Sequence, residues 1–249
     1  MASTVPVSCA CLTYGRPEVL EEAIYSFLQQ DYPGQKELIV LNDYAKQALV
    51  FDHPQVQVIN VPKRFRTVGE KQSVAIALCS HDLIFIWDDD DIYLPQRLSF
   101  SVQKFDAGKG FFKPDKAWFW SNGELSGPAR NVFHSGSCWS RELFNTVRGY
   151  ACQNNGYDQE IEAQLDQKVP GAASPYDIRP EDIYYIYRWG RTGSYHMSGY
   201  GQAEYDQVAT FVDNKINQGE IQQGQIQLQP HWQADYAGLV RDYLARLVI

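Results

Sequence analysis

The chain predicts an α/β fold, a mostly parallel central sheet flanked by helices. Three observations carry this expectation. Short apolar runs of strand length alternate with helix-period segments through residue 98. The run Leu83-Ile84-Phe85-Ile86-Trp87, rich in β-branched and aromatic residues, reads as a buried strand. Two of the runs end in acidic residues, Asn42-Asp43 and Asp88 to Asp91. The carboxyl ends of strands are where open α/β sheets hold their ligands, so these carboxylates should face one crevice.

The elements follow in order. Val7 to Leu12 is a buried strand, Thr13-Tyr14-Gly15-Arg16 a turn, and Pro17 opens a helix in the first-turn position that proline tolerates. Leu20, Ala23, Ile24, Phe27 and Leu28 form the apolar face of that helix, and Asp31-Tyr32-Pro33-Gly34 ends it. Glu37 to Leu41 and Val56 to Val61 are strands, Val68 to Cys79 a helix, and Leu83 to Trp87 the fourth strand. Beyond this the pattern is less regular. Helices are expected over Pro95–Phe105, Ser140–Val147, Tyr157–Leu165, Ala203–Ile216 and Gln233–Leu247. Strands are expected at Trp118–Trp120, Asn131–Trp139 and Ile183–Arg188. Ala107 to Asp115 reads as a loop, and Gln218 to Gln229 as a loop around a short strand at Ile226–Leu228. No linker interrupts the chain, so residues 1–249 are read as one domain, with a ligand-binding half at 1–98 and a second half at 99–249.

Composition removes several function classes. The net charge of −8 disfavours a grip on a nucleic-acid backbone. No stretch approaches the roughly 18 apolar residues of a membrane span. Met1-Ala2-Ser3-Thr4 carries no secretory pattern, and five cysteines lack the spacing of a disulfide framework. Cys9 and Cys11 share one strand face and read as buried thiols. A reducing, cytoplasmic setting is the expectation.

Four adjacent carboxylates repel one another, and their pKa values rise unless a cation joins them. Hard oxygens suit Mg²⁺ or Mn²⁺, so Asp88 and Asp90 are candidate ligands for a metal bridging to a diphosphate.

Four segments resemble the family 2 glycosyltransferases, which have the GT-A fold. They are Cys11-Leu12-Thr13-Tyr14-Gly15-Arg16-Pro17 with the helix after it, Leu38-Ile39-Val40-Leu41-Asn42-Asp43, Gly69-Glu70-Lys71-Gln72-Ser73-Val74-Ala75, and Asp88-Asp89-Asp90. The third is similar to a Gly-x-x-Arg-Asn helix but has Gln72-Ser73 at its end, and the fourth is similar to an Asp-x-Asp metal motif. Weaker similarity continues through Asn155–Glu160 and Tyr187–His196.

The resemblance implies a nucleotide-sugar donor, first of all a UDP-sugar, an acceptor hydroxyl on a glycan or other biomolecule, and inversion at the anomeric carbon. Asp43 would accept a hydrogen bond from the base N–H, Tyr14 would stack on the base, and Thr13 and Arg16 would line the donor site. Asp88 and Asp89 belong to the same site. A cationic phosphate contact falls to Lys71 or Arg66, because the motif arginine is replaced. Asp88, Asp90 and His196 would hold the metal. Asp158 would be the base that takes the acceptor proton, with Glu160 as the alternative. A nucleotidyltransferase making the activated sugar and a non-catalytic carbohydrate-binding module are the competing readings. The turn Thr13–Arg16 lacks the Gly-rich phosphate loop expected of the former, and the intact aspartates argue against the latter.

Overall fold

The computed structural model describes residues 4–131, 134–189 and 205–247. Its first half follows the expected order: β1 (Val7–Thr13), α1 (Pro17–Leu28), β2 (Lys36–Asn42), β3 (Gln47–Val50), β4 (Val56–Asn60), α2 (Val68–Leu78) and β5 (Leu83–Ile86). The second half comprises β6 (Ile92–Tyr93), α3 (Arg97–Lys104), β7 (Phe111–Phe112), β8 (Lys116–Ser121), β9 (Glu124–Arg130), β10 (Cys138–Ser140), α4 (Arg141–Asn145), α5 (Tyr157–Lys168), β11 (Tyr185–Trp189), α6 (Tyr205–Asn217), β12 (Gly224–Gln227) and α7 (Tyr236–Leu247).

Six strands form the central sheet in the order β4-β2-β1-β5-β10-β7. The first four are parallel, and β10 and β7 extend the sheet with antiparallel pairings. Side chains alternate across this sheet. Val7, Cys9, Cys11, Phe85 and Trp87 pack on one face with Leu20, Ala23, Ile24 and Phe27 of α1. Ala10, Ile39, Leu41, Ile84 and Ile86 pack on the other with Ala75 and Ile76 of α2 and Ile161 and Leu165 of α5. Both faces are covered, which is why the runs are apolar throughout rather than alternating.

A second sheet, β6-β11-β8-β9, stands beside the end of β5, and β12 pairs in parallel with β3. The C-terminal segment packs back on α1. Trp232 Nε1 donates to Ser26 Oγ at 2.8 Å, and the Gln229 and Gln233 amides donate to Glu21 and Glu22. Among the described residues no helix is long and apolar enough to cross a membrane.

Three expectations need correction. Asn131–Trp139 is not one strand: His134–Gly136 is a 3₁₀ turn, and the strand begins at Cys138. The next helix is shorter than Ser140–Val147, because Ser140 is its cap, accepting a hydrogen bond from the Leu143 amide at 3.1 Å. The stretch Ala107–Asp115 contains β7.

Candidate functional site

The first turn after β1 and the acidic run after β5 meet because β1 and β5 are adjacent parallel strands. Arg16 bridges them. Its guanidinium donates to Asp89 through Nε at 2.9 Å and Nη2 at 2.5 Å, and through Nη1 to Asp90 at 2.8 Å. Such a fork geometry is specific to arginine.

The aspartates divide into distinct environments. Asp88 is half-buried, its amide donates to the Tyr93 hydroxyl at 3.0 Å, and its carboxylate accepts from Ser135 Oγ. Burial, then the neighbouring Asp90, pushes its carboxyl up to about 6. Asp89 is raised by burial, with Arg16 opposing the rise. Asp91 is buried and raised well above its usual value by burial and by Asp90 and Asp88. It accepts from the Tyr185 hydroxyl at 2.7 Å and from the Arg188 amide at 2.9 Å.

Oxygens of Asp88, Asp90 and Asp91 all lie within 4.8 Å of one another. Three hard oxygen donors this close fit a small divalent cation. Two of the three are the expected metal residues. The third expected ligand, His196, lies outside the described residues.

The second centre joins β1, β2 and α2. Asp43, at the end of β2, is 1% exposed, and Lys71 is 4% exposed. Lys71 Nζ donates to Asp43 Oδ1 at 2.5 Å and to the Thr13 carbonyl at 2.6 Å. Burial lowers the Lys71 pKa, and Asp43 opposes that shift. The Phe65 amide donates to Asp43 Oδ2 at 3.0 Å. Lys71 is therefore committed to the strand ends, while Arg66 is exposed. The Gln72 side chain is buried, and its Nε2 has no hydrogen-bond partner among the described residues. Tyr14 is half-buried, with the Arg64 guanidinium 4.3 Å from its ring centre and Tyr44 edge-on at 5.0 Å.

Asp158 lies in the first turn of α5, half-buried, behind Gly156 in the left-handed conformation at φ 70°. The Tyr150 and Tyr157 phenols pack edge to face at 5.4 Å. Burial raises both pKa values, and the charges of Asp88 and Asp158 add to both shifts. The charges of Asp88 and Asp158 thus both act on this pair of phenols. Glu160 is exposed and accepts from Gln164 on the outer side of the helix at 3.3 Å.

Several site residues were not assigned from the sequence. Asp91 was visible as the fourth aspartate of the run. Glu22 and Arg188 form a buried ion pair between α1 and β11, and the Arg188 guanidinium also donates to the Asp90 carbonyl. A glutamate directly before inward Ala23-Ile24, and an arginine closing the aromatic run Tyr184–Tyr187, were the available signals.

Comparison with known proteins adds a family to this geometry. The family profile described as Glycosyl transferase family 2 matches residues 8–161. No curated protein sequence gives a significant match. Among solved structures, S. aureus TarS 1-349 in complex with UDP is 15% identical with a TM-score of 0.56, the match covering 74% of this chain and 60% of that one. TarS 1-349 in complex with UDP-GlcNAc is 14% identical with a TM-score of 0.57, covering 85% and 66%. The mannosyltransferase PcManGT from Pyrobaculum calidifontis, in complex with GDP-Man and Mn²⁺, is 17% identical with a TM-score of 0.56, covering 77% and 59%. At such identities the likeness establishes the GT-A fold, and the chain spans about 60% of the length of two of these neighbours. With the profile covering more than half of the sequence, this chain belongs to glycosyl transferase family 2.

Proposed function

We propose that the chain moves a glycosyl group from a nucleoside-diphosphate sugar to an acceptor hydroxyl, with inversion and with a divalent cation. The observation that carries this reading is the convergence, at the carboxyl ends of β1, β2 and β5, of Asp43, Arg16 and the Asp88–Asp91 cluster. The fold neighbours hold UDP, UDP-GlcNAc or GDP-Man, one of them with Mn²⁺, which supports a nucleotide-sugar donor.

In this reading each residue has one task. Asp43 accepts the base N–H, since each of its oxygens has a second lone pair beyond the bonds to Lys71 and Phe65. Thr13 and Tyr14 line that pocket, and Lys71 holds the Asp43 carboxylate in place through its hydrogen bond. Arg16, already beside Asp89 and Asp90, is the cation placed to meet the diphosphate. Asp88 and Asp90, with Asp91 beside them, would hold Mn²⁺ or Mg²⁺. When bound there, such a cation would supply Lewis-acid neutralisation of negative charge on the diphosphate.

Asp158 takes the proton of the acceptor hydroxyl as its oxygen bonds to the anomeric carbon. The bond from that carbon to the diphosphate oxygen breaks, and its electron pair leaves with the diphosphate. A single displacement from the opposite face inverts the configuration. The five free thiols, four of them buried, support the expectation of a reducing, cytoplasmic setting.

Asp158→Asn tests this assignment. The variant keeps shape and hydrogen bonding but loses basicity. The expected result is donor affinity near wild type by calorimetry, with transfer down roughly 10²–10⁴-fold. Near-normal transfer by Asp158→Asn would remove Asp158 as the base, and a large loss in Glu160→Gln alone would move that role to Glu160.

A further inference from the structure

Apart from the acidic run, a second cluster of ionisable side chains lies between α5 and the 3₁₀ turn before β10. His134, in that turn, is 5% exposed. Its Nδ1 is 2.7 Å from Glu162 Oε1, and its Nε2 is 2.8 Å from the Tyr150 hydroxyl. Buried Lys113 donates to the other Glu162 oxygen at 2.5 Å. Nδ1–H donates to the Glu162 carboxylate, and the direction of the Nε2–Tyr150 hydrogen bond follows the ring's tautomer and charge. The attraction of His134 and Lys113 outweighs burial, and the Glu162 pKa lies below its ordinary value.

The two ends of this cluster reach the proposed chemistry. Glu162 follows Asp158 by four residues on α5, so the two share one helix face, a turn apart. Ser135 follows His134 directly, and its hydroxyl donates to Asp88. A continuous path therefore runs from Asp158 along one helical turn to Glu162, across to His134, and through one peptide bond to Ser135 and Asp88.

Only Ile161 and Leu165 are fully buried apolar side chains on α5, and Gly156 gives the helix no side-chain cap. Tyr157 packs partly buried beside them against Tyr150; apolar contacts hold the rotation of the helix about its axis loosely, and the directional hydrogen bonds at Glu162 constrain it further. A buried ion pair is weak evidence for stability, because apolar groups of equal volume often serve as well. Its geometry is better suited to fixing one arrangement.

We propose that Glu162 and His134 are positioning residues: they lock α5 to the β10 turn so that the Asp158 carboxylate faces the Asp88 cluster. This rests on the reading of Asp158 as base. The test is a double-mutant cycle of Glu162→Ala and Asp158→Asn in the full chain. Turnover is read with Mn²⁺ and whichever of UDP-glucose, UDP-GlcNAc and GDP-mannose the wild type turns over, as nucleoside diphosphate released to water as acceptor. Glu162→Ala is expected to lower kcat by about 10- to 100-fold, the scale of a misplacement near 1 Å, with donor affinity by calorimetry unchanged. Glu162→Gln, which still accepts from His134, should restore most of it. In the Asp158→Asn background, Glu162→Ala should cost nothing more, because the two act as a unit.

If Glu162→Ala fails to fold, His134→Asn breaks the same contact from the other side and enters the same cycle. Equal losses in both backgrounds, or wild-type kcat in the single variant, would overturn the proposal and leave the base assignment standing. Wild-type turnover by Asp158→Asn itself would overturn both.

Discussion

Lys71 reaches Asp43 across the ends of β1 and β2, and both are almost wholly buried. Removing one member leaves an uncompensated buried charge. Asp43→Ala should therefore destabilise the fold by about 3–5 kcal/mol in urea denaturation, and adding Lys71→Met should recover most of the loss. The double variant then isolates function. Its donor affinity falls if Asp43 reads the base, and an unchanged affinity removes Asp43 from that pocket.

Asp88 offers a second residue-scale prediction. Its pKa is raised to about 6, above the unfolded value, so the folded protein holds this proton more tightly than the unfolded chain. The stability this confers is present at low pH and is lost as pH rises through about 6. A divalent cation displaces the same proton. Mn²⁺ affinity should therefore weaken as pH falls below that value, approaching about tenfold per pH unit for one competing proton. Calorimetry on either side of the transition reads this directly, and a flat profile would exclude Asp88 as a ligand. At this scale the aspartates were legible because a run of carboxylates behind an apolar strand has no packing use. The Asp43–Lys71 and Glu162–His134 pairs were not legible, because long-range pairing leaves no local pattern.

Among the elements, α2 is set by two devices. Thr67 accepts the Glu70 amide at 3.1 Å, and Glu70 reaches back to the Arg66 amide at 3.0 Å, a capping arrangement displaced by one residue. Gly69 then allows the closest approach. A Cβ there would lie 1.9 Å from the Ala151 carbonyl oxygen, and the Gly69 amide donates to the Gln153 carbonyl. Gly69→Ala must displace backbone in the segment that leads into α5. Expected are a stability loss of about 1–3 kcal/mol and a fall in turnover larger than the fall in donor affinity. Equal turnover would show that this segment does not set the position of Asp158. The first four central strands were legible as short apolar runs between turn residues, and the two early helices from the apolar segments that separate those runs. The missed strands have physical reasons: β6 and β7 have two residues each, β9 contains Gly127-Pro128, and β3 pairs with β12 from the far end of the chain. None of these offers a local hydrophobic period.

For the molecule as a whole, the parallel order of β2, β1 and β5 brings three strand ends, and with them Asp43, Arg16 and the Asp88–Asp91 run, to one edge of the sheet. That convergence was readable from the position of acidic residues after strands. The opposing wall, built from α5, Tyr150 and the 3₁₀ turn at His134, was not, because its residues come together through packing of the irregular second half. In the proposed function, the strand-end crevice binds a nucleotide sugar together with a metal on Asp88 and Asp90. The most direct measurement is calorimetric titration of UDP-glucose, UDP-GlcNAc and GDP-mannose into the wild type and Asp90→Asn, each with and without Mn²⁺. At least one donor should bind the wild type at least about tenfold more tightly with Mn²⁺, a difference of about 1.4 kcal/mol, and Asp90→Asn should abolish this gain while remaining folded. A donor that binds equally well with and without Mn²⁺, or an undiminished metal effect in Asp90→Asn, would contradict it.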